Sequence, residues 1–491
     1  MKNKKVKILI FCLVGVLVCA GITVAAITAV NDITLKNIEK TRIKLESEVV
    51  VEPIKLDENY VHYFEQYGIA YDGSMKVDKD YTSYATVGFI NNDNSRTLFA
   101  FASDVNYKSD GKFVPIDIRV KNTTQTEQQE KGYVYSVAGN NVDTLFNKVF
   151  DSQKGIIIAD KDLSFEVLAP KGSAGKATYE VRKNFIDMDR AMIGYSDVAA
   201  EGTSTYFYPS NLGVNCEIVC SEKASHKLSF DLLVNTQGVK VRQEPGGYWI
   251  IYESNKKGWE TILGVIQMPI IKDAEGNFIR TNDIKLHKKP DGKYAVKLLL
   301  DKNADLAGAT VYLAFEIRKG NQPDNALYSG LPNLKHAYLK NHVVIGQSED
   351  LGIGRLMMLF GVESDYLFSE DMITSVDFFI YNLTPNDTMT VTAYRALEEW
   401  CSLVGNWNCN YKIGDSVSTA KAGESVIKLD ITDEFKFWCG DGNGDIENYG
   451  LQLRADETDN NHLILFSGDN TLFSNYTKIV FNKKAEEEKQ N

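Results

Sequence analysis

Proline is scarce in this chain, ten in 491 residues, and long stretches of helical periodicity are missing. The second absence excludes a helical bundle, because an amphipathic helix needs apolar residues recurring every three to four positions. The best helical candidate is the short segment NNVDTLFNKVF at 140–150. No repeat with a period of about 20–50 residues is visible, so a solenoid or propeller is not expected. Histidine is rare too: His62, His226, His287, His336, His342 and His462 are scattered, with no i,i+4 pair and no H-E-x-x-H. There is no G-x-S-x-G elbow. The stretch GSAGKAT at 172–178 departs from a phosphate loop at two places. Pro170 stands where the first glycine belongs, and Ala177 replaces the magnesium-binding Ser or Thr. No catalytic residue is assigned.

Cysteine is sparse, and its distribution is uneven. Cys12 and Cys19 lie in an apolar N-terminal run; Cys216, Cys220, Cys401, Cys409 and Cys439 lie beyond it. Five thiols cannot pair completely within one chain. Cys216–Cys220 and Cys401–Cys409 are candidate local bridges, Cys409–Cys439 is equally allowed, and buried free thiols are the plain alternative. With no paired CxxC and no Cys/His cluster of ligand spacing, zinc is not expected. Positive charge is also short: the formal net charge is -12 and the pI about 5.2. No basic patch stands out beyond the N-terminus, which argues against nucleic acid as a partner.

What is present is strand-forming sequence, with Tyr (25) and Phe (23) plentiful among alternating segments. An all-β chain is therefore expected. At the N-terminus, Lys2, Lys4, Lys5 and Lys7 precede an uncharged run from 8 to 30. That length spans a bilayer, which takes about 20 apolar residues. We read 1–30 as a transmembrane signal-anchor, with a cleaved signal peptide as the competing reading. The basic flank stays inside, so the remainder is exported. Residues 31–56 form a charged stalk and 57–330 a β-rich extracellular region, cut by turn signals such as Asp110-Gly111. The Gly-, Pro- and Asn-rich stretch 320–333 reads as linker, with the boundary at 331–335. A second unit follows at 336–482. Residues 483–491 are a polar tail without a sortase motif.

The last unit is the most legible. An "LDIT" strand at 429–432 runs into a short apolar segment closed by Trp438. A Gly-rich loop follows, then three alternating strands: NYGLQLRAD, HLILFSGD and YTKIVFN. With Asn448-Tyr449-Gly450-Leu451-x-Leu453, the Phe466-Ser467 pair, RLMMLF at 355–360 and VTAYRALEEW at 391–400, residues 336–482 resemble a DNRLRE domain. That family is a β-sandwich module of bacterial and archaeal surface proteins, some of which are classed as carbohydrate-binding. The resemblance implies an antiparallel, jelly-roll-like sandwich. More weakly, YKSDGKFVPIDIRV at 107–120 and IQMPIIKDAEG at 266–276 resemble the N-terminal β-rich region of wall-associated and RHS-type surface proteins. The RHS repeats are missing here, so a shell or toxin role does not carry over.

Two constellations could bind something. Asp441, Asn443, Asp445 and Glu447 place oxygens on alternate residues, as calcium loops do. Ile446 and Gln452 stand where an EF-hand needs Gly and Glu, so any calcium would be held in another geometry; a metal-free polar turn is the alternative. Trp407, Tyr411 and Tyr449 are candidates for stacking on a sugar ring, with Trp407 expected to be the most exposed, while Trp438 reads as core. The expectation is a non-catalytic cell-surface protein that binds cell-wall or matrix polysaccharide through its C-terminal sandwich. Alternatives are a polysaccharide-active enzyme with catalysis in 57–330, and an adhesion or filament subunit binding surface proteins.

Overall fold

Alternating Tyr-, Phe- and Val-rich segments become strands, as expected. In the computed structural model strands make up 54% of the structure, and the described helices are short: Thr126–Glu130 and Thr432–Cys439. The structure describes residues 60–482 apart from 62–63, 66–68, 70–74, 125, 246, 280, 319–323, 335–336, 361–367, 402–404, 441–446, 459–460 and 469–471. The expected membrane segment, stalk and tail fall outside the described residues. Among the described residues no helix is long and apolar enough to cross a membrane.

Four antiparallel sheets stack as layers within the unit Lys55–Asn491. An eight-stranded sheet runs from edge strand Thr281–Lys288 to edge strand Asp117–Asn122. It faces a ten-stranded sheet whose edges are Thr178–Lys183 and Lys240–Gln243. Phe165, Phe230 and Leu298 of the first pack against Phe207, Trp249 and Phe315 of the second. The far face of the ten-stranded sheet then meets a six-stranded sheet. There Met192, Tyr208 and Tyr312 pack with Phe89, Phe99 and Tyr476. The six-stranded sheet in turn covers a seven-stranded one: Val376, Phe378 and Ile479 meet Ile345, Leu356, Val391 and Leu453. Each such fully buried side chain contributes about 1.5–3 kcal/mol.

The expected boundary at 331–335 does not divide these sheets. Lys76–Asp78, Thr86–Ile90 and Arg96–Phe101 belong to the six-stranded sheet, where Arg96–Phe101 pairs with Tyr476–Phe481. The stretch read as linker holds strand Asp324–Tyr328, buried at every position and paired with Gly354–Met358. Its Asn and Asp side chains mimic a loop in sequence, yet Asn325 Nδ2 donates to the Gly405 carbonyl at 3.0 Å and Asp324 accepts from Gly468 N at 2.8 Å. The helical candidate at 140–150 is instead two strands, Asp143–Asn147 and Val149–Phe150, with Phe146 and Phe150 in the core.

The apolar segment before Trp438 is helix Thr432–Cys439. Asp430 accepts from Thr432 N and Oγ1 at 3.0 and 2.6 Å, ordering its start, and Asp433 and Glu434 in the first turn suit the helix dipole. Trp438 is buried in the sandwich core beside Phe360 and Phe435.

The cysteine bridges are corrected by geometry. Cys216 and Cys220 both lie on strand Gly213–Cys220 and are free. Four residues of extended chain separate their Cα atoms by roughly 13 Å, beyond the reach of about 7 Å that a disulfide allows. Cys401, Cys409 and Cys439 are also unbridged.

Candidate functional site

The outer face of the seven-stranded sheet is where side chains with binding chemistry collect. Strand Asn386–Ala396 reads NDTMTVTAYRA. Its Met389, Val391 and Ala393 turn into the core, so the alternating Thr388, Thr390, Thr392 and Tyr394 face outward. The neighbouring strand Leu451–Arg454 repeats the pattern, with Leu451 and Leu453 inside and Arg454 outside. Together with Asp456 and Glu457 these outward residues line a groove of about 400 Å³.

Within the groove the Arg454 guanidinium lies 4.9 Å from the Tyr394 ring centroid, and its Nε donates to Gln452 at 2.5 Å. Burial, then the charge of nearby Arg355, hold Arg454 below the usual arginine pKa. Arg355 bonds Glu457 in bidentate fashion at 2.7 and 2.8 Å and covers the Trp407 ring at 4.8 Å. The Arg355 contact ties the groove to an aromatic cluster: Trp400, Trp407, Tyr411 and Tyr449 pack over buried Leu327, Met357 and Ala396.

The structure therefore brings together the three predicted sugar-stacking residues, but not as an open platform. Trp407 was expected to be exposed; it is half-buried, with Arg355 across its ring. Tyr411 is half-buried too, and burial, then a bond to Cys409, raise its hydroxyl pKa. Tyr449 bonds Glu447 through its hydroxyl, and its carbonyl accepts from Trp400 Nε1 at 2.7 Å. Leu397 N bonds Lys412 O at 3.0 Å and Gly405 N bonds Cys401 O at 2.7 Å. None of these aromatics is among the residues lining the groove; they join it through Arg355 and Glu457.

Sequence reasoning missed Tyr394, Arg454 and the threonine ladder. Their alternation is what any solvated strand face shows, and only the pairing of Thr392 with Arg454 and of Tyr394 with Gln452 makes one surface of them. Of the calcium candidates, Asp441, Asn443 and Asp445 lie outside the described residues, and Glu447 is exposed beside Tyr449. Among the described residues no group of three His, Cys, Asp or Glu side chains is placed to hold a metal.

A second polar centre lies deeper, between the ten- and six-stranded sheets. Glu217 accepts from the Tyr208 hydroxyl at 2.6 Å and from Phe185 N at 2.7 Å. Burial pushes its carboxyl pKa up to about 7. Glu217 is 1% exposed and Tyr208 2%. A substrate has no access to such a pair, so its role is in packing. No protein-family model matches the chain, and no curated protein matches it in sequence.

Proposed function

We propose that this chain is a non-catalytic binding protein of the bacterial cell surface that holds a cell-wall or matrix polysaccharide on the outer face of its seven-stranded sheet. The observation carrying this reading is the groove lined by Thr388, Thr390, Thr392, Tyr394, Arg454, Asp456 and Glu457. Sugars present hydroxyls at regular intervals and apolar C–H faces. A ladder of hydroxyls and carboxylates next to one aromatic ring complements both features. The reading gains support from the resemblance of 336–482 to a DNRLRE module and from the apolar run at 8–30, which suits export.

A glycan array with the full-length chain tests the proposal. Tyr394→Ala and Arg454→Ala should each weaken retention on the preferred glycan at least tenfold, about 1.4 kcal/mol, with little change in melting temperature. Binding of no glycan, or unchanged binding by both variants, would overturn it.

A further inference from the structure

A second groove lies at the opposite end of the stack, where the two largest sheets present open edges. It holds about 400 Å³ and is lined by Lys240, Val241, Arg242, Gln243, Tyr252, Leu286, Lys288 and Tyr294. Lys240–Gln243 is an edge of the ten-stranded sheet, and Thr281–Lys288 is an edge of the eight-stranded sheet. Register fixes the pairs that line it: Lys240 is opposite Tyr252, and Lys288 is opposite Tyr294. Each side therefore carries a cation beside a tyrosine. Arg242 lies 4.7 Å from the Tyr252 ring centroid and Lys288 Nζ 5.7 Å from that of Tyr294.

Among the described residues the lining contains three cations and no carboxylate. Arg242 is balanced by Glu244 and Glu260 at 2.8 and 2.7 Å. Lys240 and Lys288 are exposed and form no ion pair among the described residues. This placement occurs in a chain whose formal net charge is -12. Lys240 and Lys288, distant in sequence, thus meet at one groove.

We infer that this edge groove binds an acidic polysaccharide, its uronate carboxylates paired with Lys240 and Lys288 and a sugar ring against the half-buried Tyr294. The inference rests on the polysaccharide reading above and adds to it a second site and a charge class. Exposed ion pairs are individually weak, so the site acts through several pairs along a polymer and is screened by salt.

The test measures binding of the full-length chain to polygalacturonate, to a neutral β-glucan and to single-stranded DNA, at low and high salt. Polygalacturonate should bind best, and its affinity should fall with added salt. The double variant Lys240→Gln/Lys288→Gln should bind it about tenfold more weakly at low salt, while Lys240→Arg/Lys288→Arg retains binding. Glucan binding should be unchanged in both. Undiminished polygalacturonate binding by the Gln variant, or tighter binding of DNA, would overturn the edge-groove inference. In that event glucan binding that depends on Tyr394 would leave the sheet-face proposal standing. A chain that binds neither polysaccharide would sink both.

Discussion

Glu217 shows what a single buried carboxyl does to pH dependence. Its ordinary pKa is 4.5, and burial in the fold raises it to about 7. Between those values the folded chain keeps a proton that the unfolded chain has lost. The stability this group contributes is complete below about 4.5 and is lost as pH rises through about 7. Glu217→Gln keeps an oxygen to accept from Tyr208 and Phe185 and removes the titration. The melting temperature of wild type should therefore fall behind that of the variant as pH rises across this window. The expected gap is on the order of 2 kcal/mol at neutrality. A gap independent of pH, measured by calorimetry across the series, would show that the carboxyl is not titrating there.

At the scale of elements, two glycines separate backbone strain from crowding. Gly111 follows Asp110 in the turn between Asn106–Ser109 and Lys112–Pro115, with φ of 76° and 49° respectively. That geometry suits a two-residue hairpin with both central residues left-handed, as the Asp-Gly pair predicted. A methyl group at Gly111 would meet nothing within 4 Å. Gly450 has φ of 77°, and a methyl there would lie 1.9 Å from the Met358 carbonyl oxygen. Gly111→Ala should cost about 1 kcal/mol, and Gly450→Ala should cost more than about 3 kcal/mol, because strain and collision add. Thermal unfolding of the two variants decides this, with equal losses as the contrary result. Because Gly450 leads directly into the strand that carries Arg454, its alanine variant should also loosen the sheet-face groove.

At the scale of the molecule, the C-terminal sandwich is not self-sufficient. A fragment of residues 336–482 lacks Arg96–Phe101, which pairs with Tyr476–Phe481 along its length. It also lacks Asp324–Tyr328, which pairs with Gly354–Met358. The far face of its six-stranded sheet, with Phe379 and Tyr476, would lose Phe99, Met192 and Tyr312 as neighbours. An exposed apolar face with open strand edges is an aggregation site. The isolated fragment should be insoluble or lack a cooperative melting transition, whereas residues 55–491 should unfold cooperatively. A soluble, cooperatively melting 336–482 fragment would refute this account.

The all-β class, most strand positions, the Asp110-Gly111 hairpin and the core role of Trp438 could be read from the residues alone. One face of each of those strands is apolar, so a period of two survives in the sequence. Strand Gly213–Cys220 escaped notice because the central ten-stranded sheet is covered on both faces and the alternation disappears there. Asp324–Tyr328 escaped because its buried polar atoms find distant partners. Tertiary structure alone decided the two grooves. Arg355 meets Trp407 and Glu457, and Lys240 shares a groove with Lys288, only because strands far apart in the chain end side by side. Local periodicity records which face of a strand is buried; it holds no record of which strand lies next to it.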